Sequence, residues 1–263
     1  MKIKRILPAL FISFSMITAA AGLQSIASSE TTVDNGLYGE LLKKHVRDGR
    51  VDYAGFKTEE AKLDRYLKIL ENVDPEKLSR NEQFAFYTNA YNAWTIKLIL
   101  SGYPDVTSIK DLGSLLKSPW KKKIVRIDGE VITLDHVERE ILRPRYKDPR
   151  VHFAINCAAK SCPPLRPEPF NGNILERQLD DSTRSFINNP QSYRLDDSEL
   201  YVSRIFKWFS EDFNEDIFGF FLKYATGNLK KELKSKSERI VVQYLEYDWS
   251  LNEVSAKRSN IEH

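Results

Sequence analysis

Apolar residues recur at three- and four-residue spacing in several parts of the chain, a pattern that predicts amphipathic helices. The first two such segments run from Leu37 to Val46 and from Glu59 to Leu70. The third, NEQFAFYTNAYNAWTIKLIL at residues 81–100, carries two apolar stripes on different sides. Because this helix is apolar on two sides, we predict that it is buried at the centre of the fold.

Alternating apolar and polar residues predict short strands elsewhere. The segment KKKIVRIDGEVITLD, residues 121–135, alternates on both sides of Asp128-Gly129, a pair typical of a two-residue hairpin turn. A second hairpin is predicted in SYRLDDSELYVS at residues 192–203, and further strands from Arg150 to Ile155 and in IVVQYLEYDW at residues 240–249.

Three more segments are predicted as helices. One begins at Asp135 and ends before Pro144, one spans Asn171 to Asn188, and one spans Ser210 to Tyr224. Helices outweigh strands, so the fold class is α+β: a mainly helical single domain with a small antiparallel sheet and a buried central helix. We place this globular domain at residues 36–252, between a mobile N-terminal segment at 28–35 and a C-terminal tail at 253–263.

The N-terminus has the pattern of a secretory signal peptide. Lys2, Lys4 and Arg5 precede an apolar run from Ile6 to about Gly22, which small residues follow. We therefore expect residues 1–27 to be removed and the mature protein to be periplasmic or secreted, although an uncleaved anchor has a similar pattern. No second apolar run is long enough to span a bilayer, so we expect no membrane span after signal cleavage.

The charge of the mature chain argues against a nucleic-acid partner. The sequence holds 40 basic and 37 acidic residues, and three of the basic ones lie among the first 29 positions, so 37 of each sign remain after cleavage. A neutral chain offers no general attraction for nucleic acid. The expected partner is an unidentified peptide, glycan or protein of the cell envelope. We expect no cofactor, because neither a phosphate loop nor a dinucleotide-binding motif occurs.

Both cysteines of the chain lie in one stretch, HFAINCAAKSCPPL at residues 152–165. In an oxidising compartment, Cys157 and Cys162 are typical of a disulfide. A metal site would combine them with His152 and with His136 or Glu138, but this spacing is poor for zinc and we predict no metal. The third alternative is a catalytic triad with Cys157 as nucleophile, His152 as base and Glu138 as the acid that orients the base.

Three asparagines are candidates for binding or orienting roles. Asn89 and Asn92 lie about one turn apart on the central helix, and Asn156 precedes the first cysteine. They suit the orientation of an imidazole or donation to an oxyanion. For Asn89 and Asn92 we favour hydrogen bonds to the backbone of the loop after Ile155, because a buried amide needs partners, and we predict that their shared helix face packs against this loop.

Four motifs resemble one known family. NEQFAFYTNAYNAW, RVHFAINCAAKSCPPL, RIFKWFSEDF and YLEYDWSLN occur in this order between residues 81 and 252. In combination they resemble the domain of unknown function 547 family, which is found in bacteria and plants and has no agreed reaction. Arg139 stands where that family commonly has histidine.

Two functional hypotheses follow. The first is a cysteine-dependent hydrolase or acyltransferase that acts on an amide or thioester through Cys157, His152 and Glu138. The second is a non-catalytic envelope binding module in which a disulfide between Cys157 and Cys162 closes the loop.

Overall fold

A computed structural model of the protein describes residues 32–114 and 117–254. Its α-helices are α1 (Gly36–His45), α2 (Tyr53–Thr58), α3 (Glu60–Glu71), α4 (Arg80–Leu100), α5 (Leu134–His136), α6 (Arg143–Tyr146), α7 (Leu175–Ile187), α8 (Ile205–Trp208), α9 (Ile217–Tyr224) and α10 (Gly227–Ser235). Its strands are β1 (Val46–Arg47), β2 (Arg50–Val51), β3 (Lys123–Ile127), β4 (Glu130–Thr133), β5 (Tyr193–Asp196), β6 (Glu199–Val202) and β7 (Val241–Tyr244). The predicted α+β class is confirmed.

Helix α4 is the buried centre that its two apolar stripes predict. Ser79 starts it, because the Ser79 side chain accepts a hydrogen bond from the backbone N–H of Glu82. Most of its residues from Phe84 to Leu100 are buried, among them the polar Asn89 and Asn92. The surrounding elements therefore pack against every side of α4 rather than against one stripe.

The strands form three small sheets. Both predicted hairpins are present, and Asp128 and Gly129 take the left-handed φ angles of 47° and 74° that a tight turn between β3 and β4 requires. Strand β7 adds to the second hairpin in parallel with β6, so this sheet is mixed rather than wholly antiparallel.

Two apolar cores meet at one short segment. The larger core surrounds α4, and the smaller one contains phenylalanines from the last third of the chain. Val151 packs into the larger core, whereas Phe153 packs into the smaller one. His152, between them in sequence, is consequently held where the two cores join.

That segment is not the strand predicted from Arg150 to Ile155. Residues Pro149–Phe153 form a 3-10 helix, which begins where the Asp148 side chain accepts a hydrogen bond from the Arg150 N–H at 2.9 Å. An acidic cap followed by proline at the first helical position favours a helical start. Burial against two cores leaves an apolar pattern that resembles a buried strand, which explains the wrong assignment.

Two helix boundaries also differ from the prediction. The helix that was expected to end before Pro144 continues as a π-helical turn over Val137–Leu142 and then as α6, where Lys147 ends it with φ 53°. The helix expected from Ser210 to Tyr224 is broken, because Asn214 and Glu215 both adopt left-handed φ angles.

The predicted signal peptide, residues 1–27, lies outside the described residues, as does the first half of the segment at 28–35, residues 28–31. Val33 packs against the larger core, and its N–H donates to the Glu82 carboxylate at 3.1 Å. At the other end, Glu253 accepts a hydrogen bond from the Tyr103 hydroxyl at 2.7 Å. Within residues 32–114 and 117–254, none of the helices combines the length and the apolar character that a bilayer crossing requires.

Candidate functional site

A cavity of about 280 Å³ lies beside the cysteine loop, and we call it the aromatic cavity. It is bounded by α4, by the helical segment Leu134–Tyr146, by the loop after Phe153 and by the C-terminal segment. Six large aromatic residues, apart from His152, form much of its wall: Tyr91, Trp120, Trp208, Phe209, Tyr247 and Trp249. Glu138, His152 and Cys157 all line it, so the structure brings the three residues of the predicted triad to one cavity.

The cysteines form the disulfide that the second functional hypothesis contains. Cys157 and Cys162 are bonded, with their Cα atoms 6.1 Å apart. Cys157 therefore has no thiol in this form, and the predicted triad lacks its nucleophile. Cys162 is buried, whereas Cys157 is partly exposed and faces the cavity.

Asn156 shapes the loop that the disulfide closes. Its Nδ2 donates to the Pro163 carbonyl at 2.7 Å, and its Oδ1 accepts from the Ala158 N–H at 2.8 Å. Ala158 adopts a left-handed φ of 62°, the sharp turn that brings the cysteines together. The role of Asn156 in this structure is therefore to hold the loop.

Asn92 and Asn89 hold two different backbone segments. Asn92 spans the chain around Ile155: its Nδ2 donates to the Ala154 carbonyl at 3.0 Å and its Oδ1 accepts from the Asn156 N–H at 2.8 Å. Asn89 makes the same pair of bonds, each 2.8 Å, with the backbone of Phe170. The prediction that both pack against the loop after Ile155 is correct for Asn92 and wrong for Asn89.

His152 is oriented by Asp212, a residue that the sequence interpretation missed. The two side chains are 2.6 Å apart at His152 Nε2 and Asp212 Oδ2. The role predicted for Glu138, to orient this imidazole, is taken by Asp212. The missed aspartate lies in the motif RIFKWFSEDF, but nothing in its spacing indicates which histidine it contacts.

The electrostatics around Asp212 define the protonation of this pair. Burial alone would raise the pKa of Asp212, but hydrogen bonds from His152 and Arg143 outweigh it and lower that pKa. Burial lowers the pKa of His152 more than its bond to Asp212 raises it. The imidazole is therefore neutral at neutral pH and donates its Nε2 proton to an ionised carboxylate, which leaves Nδ1 unprotonated.

Arg143 and Phe209 complete the surroundings of His152. Arg143 donates to both oxygens of the Asp212 carboxylate, from Nε to Oδ2 at 2.6 Å and from a terminal guanidinium nitrogen to Oδ1 at 3.1 Å. Phe209 stacks on the imidazole with ring centroids 4.1 Å apart, and the guanidinium of Arg143 lies over the same phenyl ring at 4.8 Å. These contacts fix the ring plane of His152 at the edge of the cavity.

The pKa of the Glu138 carboxyl is raised, in contrast to that of Asp212. Desolvation raises the pKa of its carboxyl from an ordinary value of 4.5 to about 7, although Arg139 and Arg143 act against this rise. Among the described residues its carboxyl has no hydrogen-bond partner. A carboxyl in an aromatic cavity with this pKa exists partly as the neutral acid at neutral pH.

The tryptophans of the chain differ in exposure. Trp94 on α4 is buried, whereas Trp208 at the mouth of the cavity is 43% exposed. Trp208 stacks on Trp249 with ring centroids 5.6 Å apart, and Tyr247 lies 4.8 Å from Trp208 and 4.5 Å from Trp249. We call these three rings the aromatic platform.

A metal centre finds little support in this geometry. His136, one of the possible ligands, has an exposed side chain on α5, and both cysteines are bonded to each other. Within residues 32–114 and 117–254, no three histidine, cysteine, aspartate or glutamate side chains cluster in a way that could hold a metal ion.

Residues 75–187 match the model of the family described as a protein of unknown function, DUF547. This part of the chain belongs to the DUF547 family. The match includes α4 and the cysteine loop, whereas the motifs that supply Asp212 and Tyr247 lie beyond it. No curated protein and no solved structure matches the chain. The DUF547 match thus covers only part of the cavity wall, and it supplies no activity.

Proposed function

We propose that this DUF547 protein is a ligand-binding module of the cell envelope whose aromatic cavity receives a sugar ring of a glycan. The observation that carries the proposal is the aromatic platform, since Trp208 exposes 43% of its surface beside a cavity instead of packing into a core. Flat apolar rings offer the faces on which the C–H surface of a pyranose packs, and three such rings grouped at the mouth of a cavity are typical of a ligand-binding site.

The polar groups of the cavity suit the hydroxyls of such a ring. Glu138 accepts or donates a hydrogen bond depending on its proton, and Asp135, Arg139 and Ser118 add further donors and acceptors to the wall. Binding cavities are typically apolar with a few polar groups that fix orientation. An apolar aromatic wall with a few hydrogen-bonding groups favours a neutral, hydroxyl-rich ligand.

The disulfide favours binding over cysteine catalysis. A nucleophilic Cys157 requires a thiolate with a base close by, but its sulfur is bonded to Cys162 and His152 Nε2 is bonded to Asp212. The cavity is complete in this oxidised form. We therefore favour the binding module over the cysteine-dependent hydrolase or acyltransferase.

The proposal is tested by screening the mature protein against a panel of envelope oligosaccharides, including peptidoglycan fragments, with tryptophan fluorescence as the signal. Trp208→Ala should weaken the binding of any responding oligosaccharide at least about tenfold, a loss near 1.4 kcal/mol. Val241→Ala is the matched control, because Val241 is also an exposed apolar residue but lies on β7 away from the cavity. The absence of binding across the panel, or equal affinities for Trp208→Ala and the native protein, would refute it.

Glycoside hydrolysis is a second candidate, favoured by Glu138. A carboxyl with a pKa of about 7 in an apolar wall suits a general acid that protonates the leaving oxygen of a glycosidic bond. The test is Glu138→Gln, which should retain oligosaccharide binding and abolish any turnover that the native protein shows. Turnover that persists in Glu138→Gln would exclude this role.

Export is proposed on the basic start, the apolar run and the small residues at positions 1–27. N-terminal sequencing of protein isolated from the cell envelope should begin between about residues 22 and 28. Recovery of the chain with Met1 intact in the cytoplasm would contradict export.

A further inference from the structure

The disulfide lies between two cavities rather than within a packed core. Cys162 and Tyr247 line both the aromatic cavity and a second, more polar cavity of about 350 Å³. Cys157 lines the aromatic cavity and is partly exposed. Because Cys162 is buried, Cys157 is the cysteine that a small molecule in the aromatic cavity reaches more readily.

The two sulfurs have unequal hydrogen-bonding environments. Cys162 Sγ accepts from the backbone N–H of Cys157 at 2.9 Å and from the Tyr247 hydroxyl at 3.3 Å. The same hydroxyl lies 3.2 Å from Cys157 Sγ, which has no backbone donor among the described residues. Two donors stabilise negative charge on Cys162 sulfur, so Cys162 is the better leaving thiolate.

The Tyr247 hydroxyl remains a hydrogen-bond donor over the whole physiological pH range. Burial, followed by the nearby Glu138 carboxyl, raises the pKa of its phenol above the ordinary value. The hydroxyl therefore stays protonated and is available to whichever sulfur carries more charge.

The loop also has the means to keep its shape when the sulfur–sulfur bond opens. Asn156 binds Pro163 and Ala158, and the Cys162 N–H donates to the Ala159 carbonyl at 3.0 Å. On the outer side, the Lys160 N–H donates to the Ser250 carbonyl at 2.8 Å. None of these bonds involves sulfur, so they remain after reduction.

From this geometry we propose that Cys157 and Cys162 form a redox-active pair that exchanges electrons with a small thiol entering the aromatic cavity. The thiolate of the small molecule attacks Cys157 Sγ, the sulfur–sulfur bond breaks, and Cys162 leaves as a thiolate. Its negative charge is stabilised by the Cys157 N–H and the Tyr247 hydroxyl.

A second thiol–disulfide exchange step completes the reduction of the protein. A second small thiolate attacks the small-molecule sulfur of the mixed disulfide and releases Cys157 as a thiolate. Two protons from the two thiols end on Cys157 and Cys162. The net change is that two small thiols become one small disulfide while the protein disulfide becomes a dithiol, and the reverse reaction oxidises the protein.

This activity shares the aromatic cavity and Tyr247 with the proposed glycan site, but its reacting atoms are the two sulfurs, so it does not depend on the exposed Trp208. It also assigns unequal roles to the cysteines: Cys157 forms the mixed disulfide and Cys162 is the leaving sulfur. Tyr247, which contacts the reacting sulfurs, is the catalytic residue.

The experiment compares two single variants of the mature chain in native buffer with oxidised glutathione as the probe. Cys162→Ser leaves a reachable thiol at Cys157, so mass spectrometry should show its glutathione adduct forming at least about tenfold faster than the adduct of Cys157→Ser. Equal rates for the two variants would overturn the assignment of roles.

A second measurement follows reduction of the native disulfide by reduced glutathione without denaturant. Tyr247→Phe should slow this reduction about tenfold, since the leaving thiolate loses one donor. Tyr244→Phe is the matched control and should leave the rate unchanged, because Tyr244 lies on β7 outside both cavities. Reduction that occurs only at the rate of global unfolding would show a purely structural disulfide and overturn the proposal.

Discussion

Glu138 and Asp212 are two carboxylates near the same cavity whose surroundings shift their pKa values in opposite directions. Desolvation dominates at Glu138 and raises its pKa to about 7. At Asp212 burial is outweighed by hydrogen bonds from His152 and Arg143, which lower the pKa. The difference arises from partners: Asp212 has two charged or polar donors, whereas Glu138 faces aromatic rings.

Glu138→Gln should change how stability depends on pH. The pKa of Glu138 is higher in the folded state than the value of about 4.5 in the unfolded state. The stability that comes from protonating Glu138 in the fold is therefore fully present below pH 4.5 and is lost as the pH rises through about 7. The variant avoids this loss and should be more stable than the native protein at pH 8 by about 1 to 3 kcal/mol, but not at pH 4. Urea unfolding at both pH values measures the difference, and Glu140→Gln, an exposed residue in the same π-helical turn, should show none.

Asp212→Asn should act in the other direction. The pKa of Asp212 is lower in the folded state than in the unfolded state. The stability that the ionised Asp212 adds is therefore present above about pH 4 and is lost as the pH falls through the folded pKa. The variant should lose about 1 to 3 kcal/mol at pH 7, because Arg143 and His152 lose an anionic partner. Thermal unfolding at pH 7 should show this loss, and a difference between variant and native protein that persists undiminished at pH 2 would contradict it. Asp196→Asn, in an exposed pair with Arg194, should have little effect.

At the scale of elements, the spacing of apolar residues predicted the helix or strand correctly where one element packs on one core. The stripes of α4 and the Asp128-Gly129 turn predict a buried helix and a hairpin, and both are present. Periodicity failed at residues 149–155, because neighbouring residues there pack into different cores and no single face exists. The Cys157–Cys162 disulfide was one of three alternatives that the sequence left open. The contact between His152 and Asp212 joins residues 60 positions apart and therefore has no local pattern.

Helix α4 holds the backbone on either side of Ile155 through the side chain of Asn92. Asn92→Leu should lower the free energy of unfolding by about 1 to 3 kcal/mol, because the Ala154 carbonyl and the Asn156 N–H both lose their buried partner. Chemical denaturation measures the loss. Asn173→Leu, at an exposed position before α7, should stay within about 0.5 kcal/mol of the native protein. Equal stabilities for Asn92→Leu and the native chain would show that the loop after Ile155 does not depend on α4.

At the scale of the whole molecule, the C-terminal segment joins parts of the chain that are distant in sequence. The Leu251 N–H donates to the Thr107 carbonyl at 2.8 Å, and the Asn252 N–H donates to the Ala158 carbonyl at 3.1 Å. The Asn252 carbonyl in turn accepts from the Val51 N–H at 2.9 Å. One segment therefore ties the N-terminal hairpin, the region after α4 and the cysteine loop together, and it also places Tyr247 and Trp249 at the cavity.

Asn252 is the centre of this connection, and its side chain links two further regions. Its Oδ1 accepts from the buried Tyr53 hydroxyl at 2.7 Å, and its Nδ2 donates to Asn156 Oδ1 at 3.1 Å. Asn252→Ala should therefore cost about 1 to 3 kcal/mol of unfolding free energy, and Tyr53→Phe should cost a similar amount because Asn252 keeps an unpaired oxygen.

A double-mutant cycle in urea tests whether these two residues act through each other. If the bond between Tyr53 and Asn252 is the shared interaction, the double variant should be more stable than the sum of the single losses implies, by about 0.5 to 1.5 kcal/mol. Tyr146→Phe combined with Asn252→Ala is the matched control and should be additive, because Tyr146 packs on Phe84 instead. Additive losses for Tyr53→Phe and Asn252→Ala would mean that the two side chains stabilise the fold independently and that the hydrogen bond between them contributes nothing to the free energy of unfolding.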